Sequence, residues 1–415
     1  MDDAAGAVEA VFRIERARLI AGLARMTRDV GIAEELAQDA FVAALAEWPR
    51  TGVPDVPRAW LLAHAKRRAI DGFRRRTMIA RRQAEIAQTE NRDFHVAAME
   101  AAMDDDLGDE LLGLVFAACH PVLPPDARAA LTLRLVGGLS TEEIARAFLT
   151  TEPTIAQRIV RAKRKLREAG LGFEVPRAAD RAARLGSVLE VVYLVFNEGY
   201  AATAGEDLIR PSLCAEAMRL GRILAGLLPE EPEVLGLLAL MELQASRQAA
   251  RTAADGSLIA LPDQDRARWD RLLIRRGLAG LAKAEALGGA DGVYALQAAL
   301  AACHARAADW AATDWPRIAG LYDRLLAAMP SPVIALNRAI AHGMAFGPEA
   351  GLALLEGLDD ALPGYAPLPA ARADALLRAG RRGEARAQFE AAAALTRNAR
   401  ERDFLLVRAA TAASR

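Results

Sequence analysis

Residues 140–168 read STEEIARAFLTTEPTIAQRIVRAKRKLRE, a stretch that predicts two short helices with a basic second member. Ser140 is a helix N-cap with Glu143 three residues on, the spacing of a capping box, and Ile144, Ala145 and Phe148 give the first helix an apolar face. That helix is expected to stop near Leu149. Thr150, Thr151 and Glu152 form the break, and Pro153 suits the first turn of a new helix, where its missing N–H costs nothing. The second helix keeps Ile155, Ile159, Ala162 and Leu166 on one side, while Arg158, Arg161, Lys163, Arg164, Lys165 and Arg167 take the rest. Six cations in ten positions, with no acid among them, suit a major groove lined by phosphates, so the unit reads as a helix-turn-helix. The bland alternative is an amphipathic surface helix that its Arg and Lys merely solvate.

The N-terminal third adds a second basic element. Residues 33–48, AEELAQDAFVAALAEW, predict an amphipathic helix with Leu36, Ala40, Phe41, Ala44 and Trp48 inward and Glu34, Glu35 and Asp39 outward. Residues 58–76, RAWLLAHAKRRAIDGFRRR, predict another, with Trp60, Leu61, Ile70 and Phe73 apolar and a dense cationic face. The chain as a whole is nearly neutral, at a formal net charge of −1, which by itself argues against nucleic acid. The distribution argues the other way: nine Lys/Arg and one acid lie between Arg58 and Arg82, whereas residues 93–126 hold eight acids and no Lys/Arg. An acidic connector that includes Asp104, Asp105 and Asp106 therefore separates two basic modules. It reads as a solubilising hinge, with mimicry of nucleic acid in a basic channel as the alternative.

These residues resemble the extracytoplasmic-function (group IV) sigma factors of bacterial RNA polymerase. Ser140, Glu142, Glu143, Ile144, Ala145, Glu152, Thr154, Ile155, Arg158, Arg161 and Ala162 fall in register with region 4 of that family, and Leu149 and Pro153 depart from its usual turn. The earlier pair of helices resembles region 2, with Arg67 standing where Asn is usual. The resemblance implies that Glu35 and Asp39 meet the polymerase clamp. It implies that Trp60, Arg67, Arg68, Asp71, Arg74 and Arg75 capture the minus-ten element, and that Thr154, Gln157, Arg158, Arg161, Lys163 and Arg164 read the minus-thirty-five element. For Trp60 the competing reading is a core anchor, and for Arg74 and Arg75 a solvated face. The implied partners are core RNA polymerase and promoter DNA.

Beyond about Pro176 the character changes. The last 240 residues hold 28 Lys/Arg and 28 Asp/Glu, so the extension has no bias toward nucleic acid, and its apolar spacing is helical almost throughout. Ala373, Leu376, Leu377, Gly380, Ala385, Phe389, Ala392 and Leu395 resemble a tetratricopeptide unit, with a fainter copy at 332–358. The expected organisation is all-α: region 2 over 1–92, acidic linker over 93–110, region 4 over 111–175, and a helical-repeat regulatory domain over 176–415. Asn197–Glu198–Gly199–Tyr200, Gln264–Asp265–Arg266 with Trp269, and Asp314–Trp315 are polar or aromatic points that either cap and pack or line a groove for an unidentified regulatory protein or ligand.

Other classes find little support. Cys119, Cys214 and Cys303 are isolated and odd in number, which suits buried thiols rather than a disulfide framework or a zinc site, and no cofactor is expected. There is no phosphate-binding loop, HExxH, GxSxG or dinucleotide fingerprint, so an enzyme is not expected. The start MDDAAGAVEA lacks a basic-then-apolar signal and the longest apolar stretch, Val188 to Phe196, cannot span a bilayer, so a cytoplasmic protein with no membrane partner is expected. The main rival is a helix-turn-helix regulator with a helical sensor domain, which would have no need of a Trp-bearing basic helix.

Overall fold

The computed structural model describes residues 2–83, 107–148, 150–200, 211–253, 259–396 and 399–413. Helices account for the regular structure, and the described residues contain no β-strand. By contact the chain divides into Met1–Val192 and Tyr193–Arg415.

In the first unit, α1 (Asp2–Thr27), α2 (Val30–Thr51) and α3 (Pro57–Gln83) pack on one another. Their core is Leu19, Ile20 and Leu23 from α1, Ala33, Ala37, Phe41, Ala44 and Trp48 from α2, and Leu61, Ala65 and Ala69 from α3, all buried. The tight α1–α2 joint needs a local device. Arg28 takes a left-handed φ of 53°, and the Asp29 carboxylate then caps α2 by accepting from Gly31 N at 2.7 Å and Ile32 N at 3.1 Å. After the acidic connector, most of which lies outside the described residues, α4 (Leu107–Ala118) packs on α1. Next come α5 (Pro125–Thr132), a π-turn over Leu133–Gly137, α6 (Thr141–Ala147) and α7 (Glu152–Glu168). Gly138 closes the π-turn at φ 80°, a conformation a side chain would strain.

A further helix, α8 (Ala178–Tyr200), begins in this unit, and the division into units falls inside it. Its first half is fastened to α4 and α5 by buried polar groups. The Arg128 guanidinium donates to Ser187 Oγ and, at 3.0 Å, to Glu190 Oε2, while Ser187 Oγ donates to the Cys119 carbonyl at 2.6 Å and Arg184 to the Phe116 carbonyl at 2.9 Å. A buried arginine requires such partners, and α8 provides them. All three cysteines are buried.

The second unit continues with α9 (Pro211–Leu227), α10 (Pro232–Ala245), α11 (Arg271–Ala286), α12 (Val293–Arg306), α13 (Trp315–Ala328), α14 (Pro332–Phe346), α15 (Pro348–Leu355), α16 (Pro367–Arg378), α17 (Arg382–Leu395) and α18 (Ala399–Ala413). Most helices pack chiefly on their sequence neighbours, and α10 also contacts α12. Glu233 of α10 accepts from Tyr294 N and Ala295 N, placing a carboxylate at the start of α12, where free N–H groups and the helix dipole favour it. α14 and α15 cross at glycine: a Cβ on Gly351 would lie 2.9 Å from Gly343 Cα. Of the tetratricopeptide-spaced residues, Ala373, Leu376, Ala385, Phe389 and Ala392 are buried, but Leu395 is exposed because α17 ends there. Among the described residues no helix is long and apolar enough to cross a membrane.

Candidate nucleic-acid interface

The turn between α6 and α7 forms as its residues dictate. Ser140 Oγ accepts from Glu143 N at 3.1 Å, and Glu143 returns the contact by accepting from Ser140 N at 2.7 Å. Thr151 caps α7 by accepting from Thr154 N, with Pro153 in the first turn, while Leu149 lies outside the described residues. Ile155, Ile159, Ala162 and Leu166 are buried as the spacing predicts, which fixes the opposite face toward solvent. On that face Thr154, Gln157, Arg161 and Arg164 are exposed. Arg161 makes no ion pair among the described residues, Arg164 pairs with Glu168 at 3.6 Å, and Arg158 reaches Asp126 of α5 at 3.5 Å.

In the first module, Trp60 is half-buried, edge-on to Trp48 at 5.4 Å and stacked on His64 at 5.4 Å, so it anchors α3 while keeping part of its ring open. Arg67 and Arg68 are exposed. Arg68 pairs with Asp39 at 2.8 Å, joining a residue expected in the minus-ten helix with one expected at the clamp; Glu35 is exposed. The side chains of Asp71, Arg74 and Arg75 lie outside the described residues.

Glu34 corrects the sequence reading. Placed outward with Glu35 and Asp39 on helical phase, it is in fact only 4% exposed. Its carboxylate accepts from Arg16 at 3.0 Å, Arg134 at 2.7 Å and Lys163 at 2.5 Å, so α1, the π-turn and α7 converge on one residue of α2. Arg167 adds a bond to Asp29 at 3.2 Å. The basic face of α7 thus lies across the start of α2, along a cleft lined by Asp29, Glu34 and Glu35 on one side and Val160, Lys163 and Arg164 on the other. Nothing in residues 33–48 could have revealed this, because two of the three cations are at least 100 positions away in sequence.

Burial works to raise the Glu34 carboxyl, but Lys163, Arg134 and Arg16 outweigh it and hold the group below its ordinary value of 4.5. For a carboxyl lowered in this way, the docking it provides is fully present above the ordinary range and is lost as pH falls through the lowered value. Small-angle scattering should therefore show unchanged dimensions from neutral pH down to the ordinary glutamate range, then expansion before helical circular dichroism is lost. Expansion already at neutral pH would contradict the role given to Glu34.

Parts of the chain match known families. Residues 11–78 match the family Sigma-70 region 2, residues 114–166 match Sigma-70, region 4, and residues 184–285 match a family of unknown function. An uncharacterised protein of Rhizobium meliloti (strain 1021) is 43% identical over 390 residues, covering 94% of this chain and 92% of that protein. The probable ECF RNA polymerase sigma factor SigI of Mycobacterium tuberculosis is 30% identical over 176 residues, 42% of this chain and 59% of that protein. The ECF RNA polymerase sigma factor SigK of Mycobacterium ulcerans is 31% identical over 149 residues, 35% of this chain and 75% of that protein. No solved structure matches the chain.

Proposed function

This chain belongs to the sigma-70 family of RNA polymerase sigma factors, and from that membership we propose that it docks on core polymerase through α2 and reads promoter DNA through α3 and α7. The observation that carries the reading is the presence of two separate basic helices in one chain: α7 exposes Arg161 and Arg164, and α3 exposes Arg67 and Arg68 beside Trp60. A single helix-turn-helix would serve an ordinary regulator; a second, Trp-bearing basic helix next to acidic Asp39 serves strand opening on polymerase. Unpaired minus-ten bases stack on aromatics and their phosphates meet Arg and Lys, contacts worth about 1–3 kcal/mol per stacked base. The minus-thirty-five duplex takes the exposed face of α7 in its major groove, with Arg158 and Arg161 the main contacts. The residues act by binding and positioning, without covalent chemistry, and work with these partners is cytoplasmic.

In the arrangement described, Lys163 and Arg167 are committed to Glu34 and Asp29, so bringing them to phosphate requires α7 to leave α2. The extension is read as a built-in regulator that takes a protein or small-molecule signal. It can shift promoter output only through different affinities for active and inactive states.

Purified full-length protein added to core polymerase should retain core in a pull-down and yield discrete run-off transcripts from a genomic library. Tight binding to duplex DNA without any association with core would establish the regulator instead. Asp39→Arg sets a cation against Arg68 on a half-exposed surface, so it should spare the fold yet weaken core binding by roughly 1 kcal/mol or more, about fivefold. Unchanged core affinity in titration would remove Asp39 from the clamp contact.

A further inference from the structure

The second unit gathers a run of arginines that form no ion pair among the described residues. Tyr200 at the end of α8, Arg247 and Arg251 after α10, Arg266 and Trp269 before α11, and His304 of α12 with Trp310 and Trp315 form one half-buried band. The Arg251 Cζ lies 3.9 Å from the Tyr200 ring centroid, and Arg247 Nη2 donates to the Tyr200 hydroxyl at 2.8 Å. Arg247 and Arg266 stand 5.8 and 4.7 Å from the Trp269 ring centroid. Arg266 Nη1 donates to the carbonyls of His304 at 2.5 Å and Ala307 at 2.8 Å. The His304 ring is parallel to Trp310 at 6.1 Å and edge-on to Trp315 at 5.5 Å. Tyr200, Arg266, Trp269 and Trp315 come from three separate segments of polar or aromatic residues, and the fold brings them together.

None of the three arginines makes an ion pair among the described residues, and four described carboxylates of this region each have another partner. Glu242 pairs with Arg222 and Arg276; Asp265 accepts from Ala267 N, Asp270 caps α11, and Asp309 accepts from Ala312 N. A ring face attracts a cation without neutralising it, and withdrawing a cation from water without a counter-charge is costly. Burial lowers Arg251 and Arg266 from their ordinary range, with repulsion from Arg247 added and only Asp309 opposing at Arg266. Burial, then Arg247 and Arg266, holds His304 at about 4, so the imidazole is neutral at physiological pH. A second observation is independent of charge. Trp269 Nε1, on a residue only 3% exposed, Arg266 Nη2 and His304 Nδ1 are buried polar atoms without a hydrogen-bond partner among the described residues. Two are obligate donors and the third takes either role, so the band calls for an acceptor-rich guest.

We propose that this band binds a small anionic molecule with a flat ring, its phosphate or carboxylate oxygens held by Arg247, Arg251 and Arg266 and its ring set against the His304, Trp310 and Trp315 face. Guanidinium forks match either oxyanion, and the aromatic wall selects for the ring. The site rests on the geometry of the second unit alone, and binding to it can be read without transcription.

Three of the five tryptophans line the band, so tryptophan fluorescence of the full-length protein reports on it directly. Titration with adenosine monophosphate, benzoate and inorganic phosphate is the test. A saturable change with a ring-bearing anion, weaker with inorganic phosphate, is expected; the adenosine monophosphate and benzoate arms separate phosphate from carboxylate as the preferred group. Arg251→Gln should weaken that binding about tenfold or more and abolish the ligand's effect on the thermal midpoint. Arg247→Lys, which keeps the charge but loses the fork, should do the same if Arg251→Gln does not fold. No saturable change with any of the three probes, or equal affinity in folded variants, overturns the proposal.

Discussion

Glu34→Ala will release α7 from α2. The substitution leaves Arg16, Arg134 and Lys163 around a site that no longer holds an anion, and removing one partner from a buried charged cluster is strongly destabilising. Arg134 and Lys163 each keep 22% of their side-chain surface, so water screens part of the loss and the low end of the usual range applies, about 3 kcal/mol. That is roughly a hundredfold change in the ratio of docked to released molecules. The contact between α4 and α1 remains, since it does not involve Glu34. The expected picture is a swing of α7 rather than separation of the modules. Hydrogen exchange should rise along the α7 face that meets α2, and affinity for a duplex carrying the minus-thirty-five element should increase in the absence of polymerase. Protection and duplex affinity equal to those of the unaltered protein would show that the Glu34 cluster does not hold the closed arrangement.

Arg161→Ala should weaken promoter recognition by about 1–3 kcal/mol, roughly 5- to 150-fold, if the guanidinium reaches a base edge. Arg161 is the sharper probe of the two central arginines because it is exposed and makes no ion pair among the described residues. Arg158 also ties α7 to Asp126 of α5, so Arg158→Ala mixes a fold effect with a contact effect. Core binding should be unchanged in both variants, because α2 is untouched. If Arg161→Ala reduces core affinity as much as promoter affinity, α7 has been given the wrong task.

Local rules carried most of the fold. Ser140 with Glu143 announced a helix start that the structure forms atom for atom, and the Ile155, Ile159, Ala162, Leu166 stripe fixed which side of α7 faces inward. Trp60 shows the limit of such rules: a ring edge-on to Trp48 is a packing residue, yet the same side chain stays half-open, and no periodicity separates the two duties. Glu34 was misread because helical phase sees only the neighbours of one helix, whereas its burial is decided by Arg134 and Lys163. The arginine band was half visible. Tyr200, Arg266, Trp269 and Trp315 stood out by type, but Arg247, Arg251 and His304 look like ordinary helix-end residues until the fold gathers them.

Because one carboxylate serves three cations, the worth of each cation depends on whether Glu34 is still there. With Glu34 in place, losing Lys163 removes a favourable contact; without it, the same loss relieves repulsion among the survivors. The effect of one substitution therefore changes sign with the background, which is sign epistasis, and coupled sites of this kind do not add. Replacement of the cluster by an apolar contact is consequently ordered: one cation can be shed while the acid remains paired with the other two, but a lineage that loses the acid first leaves three cations facing one another.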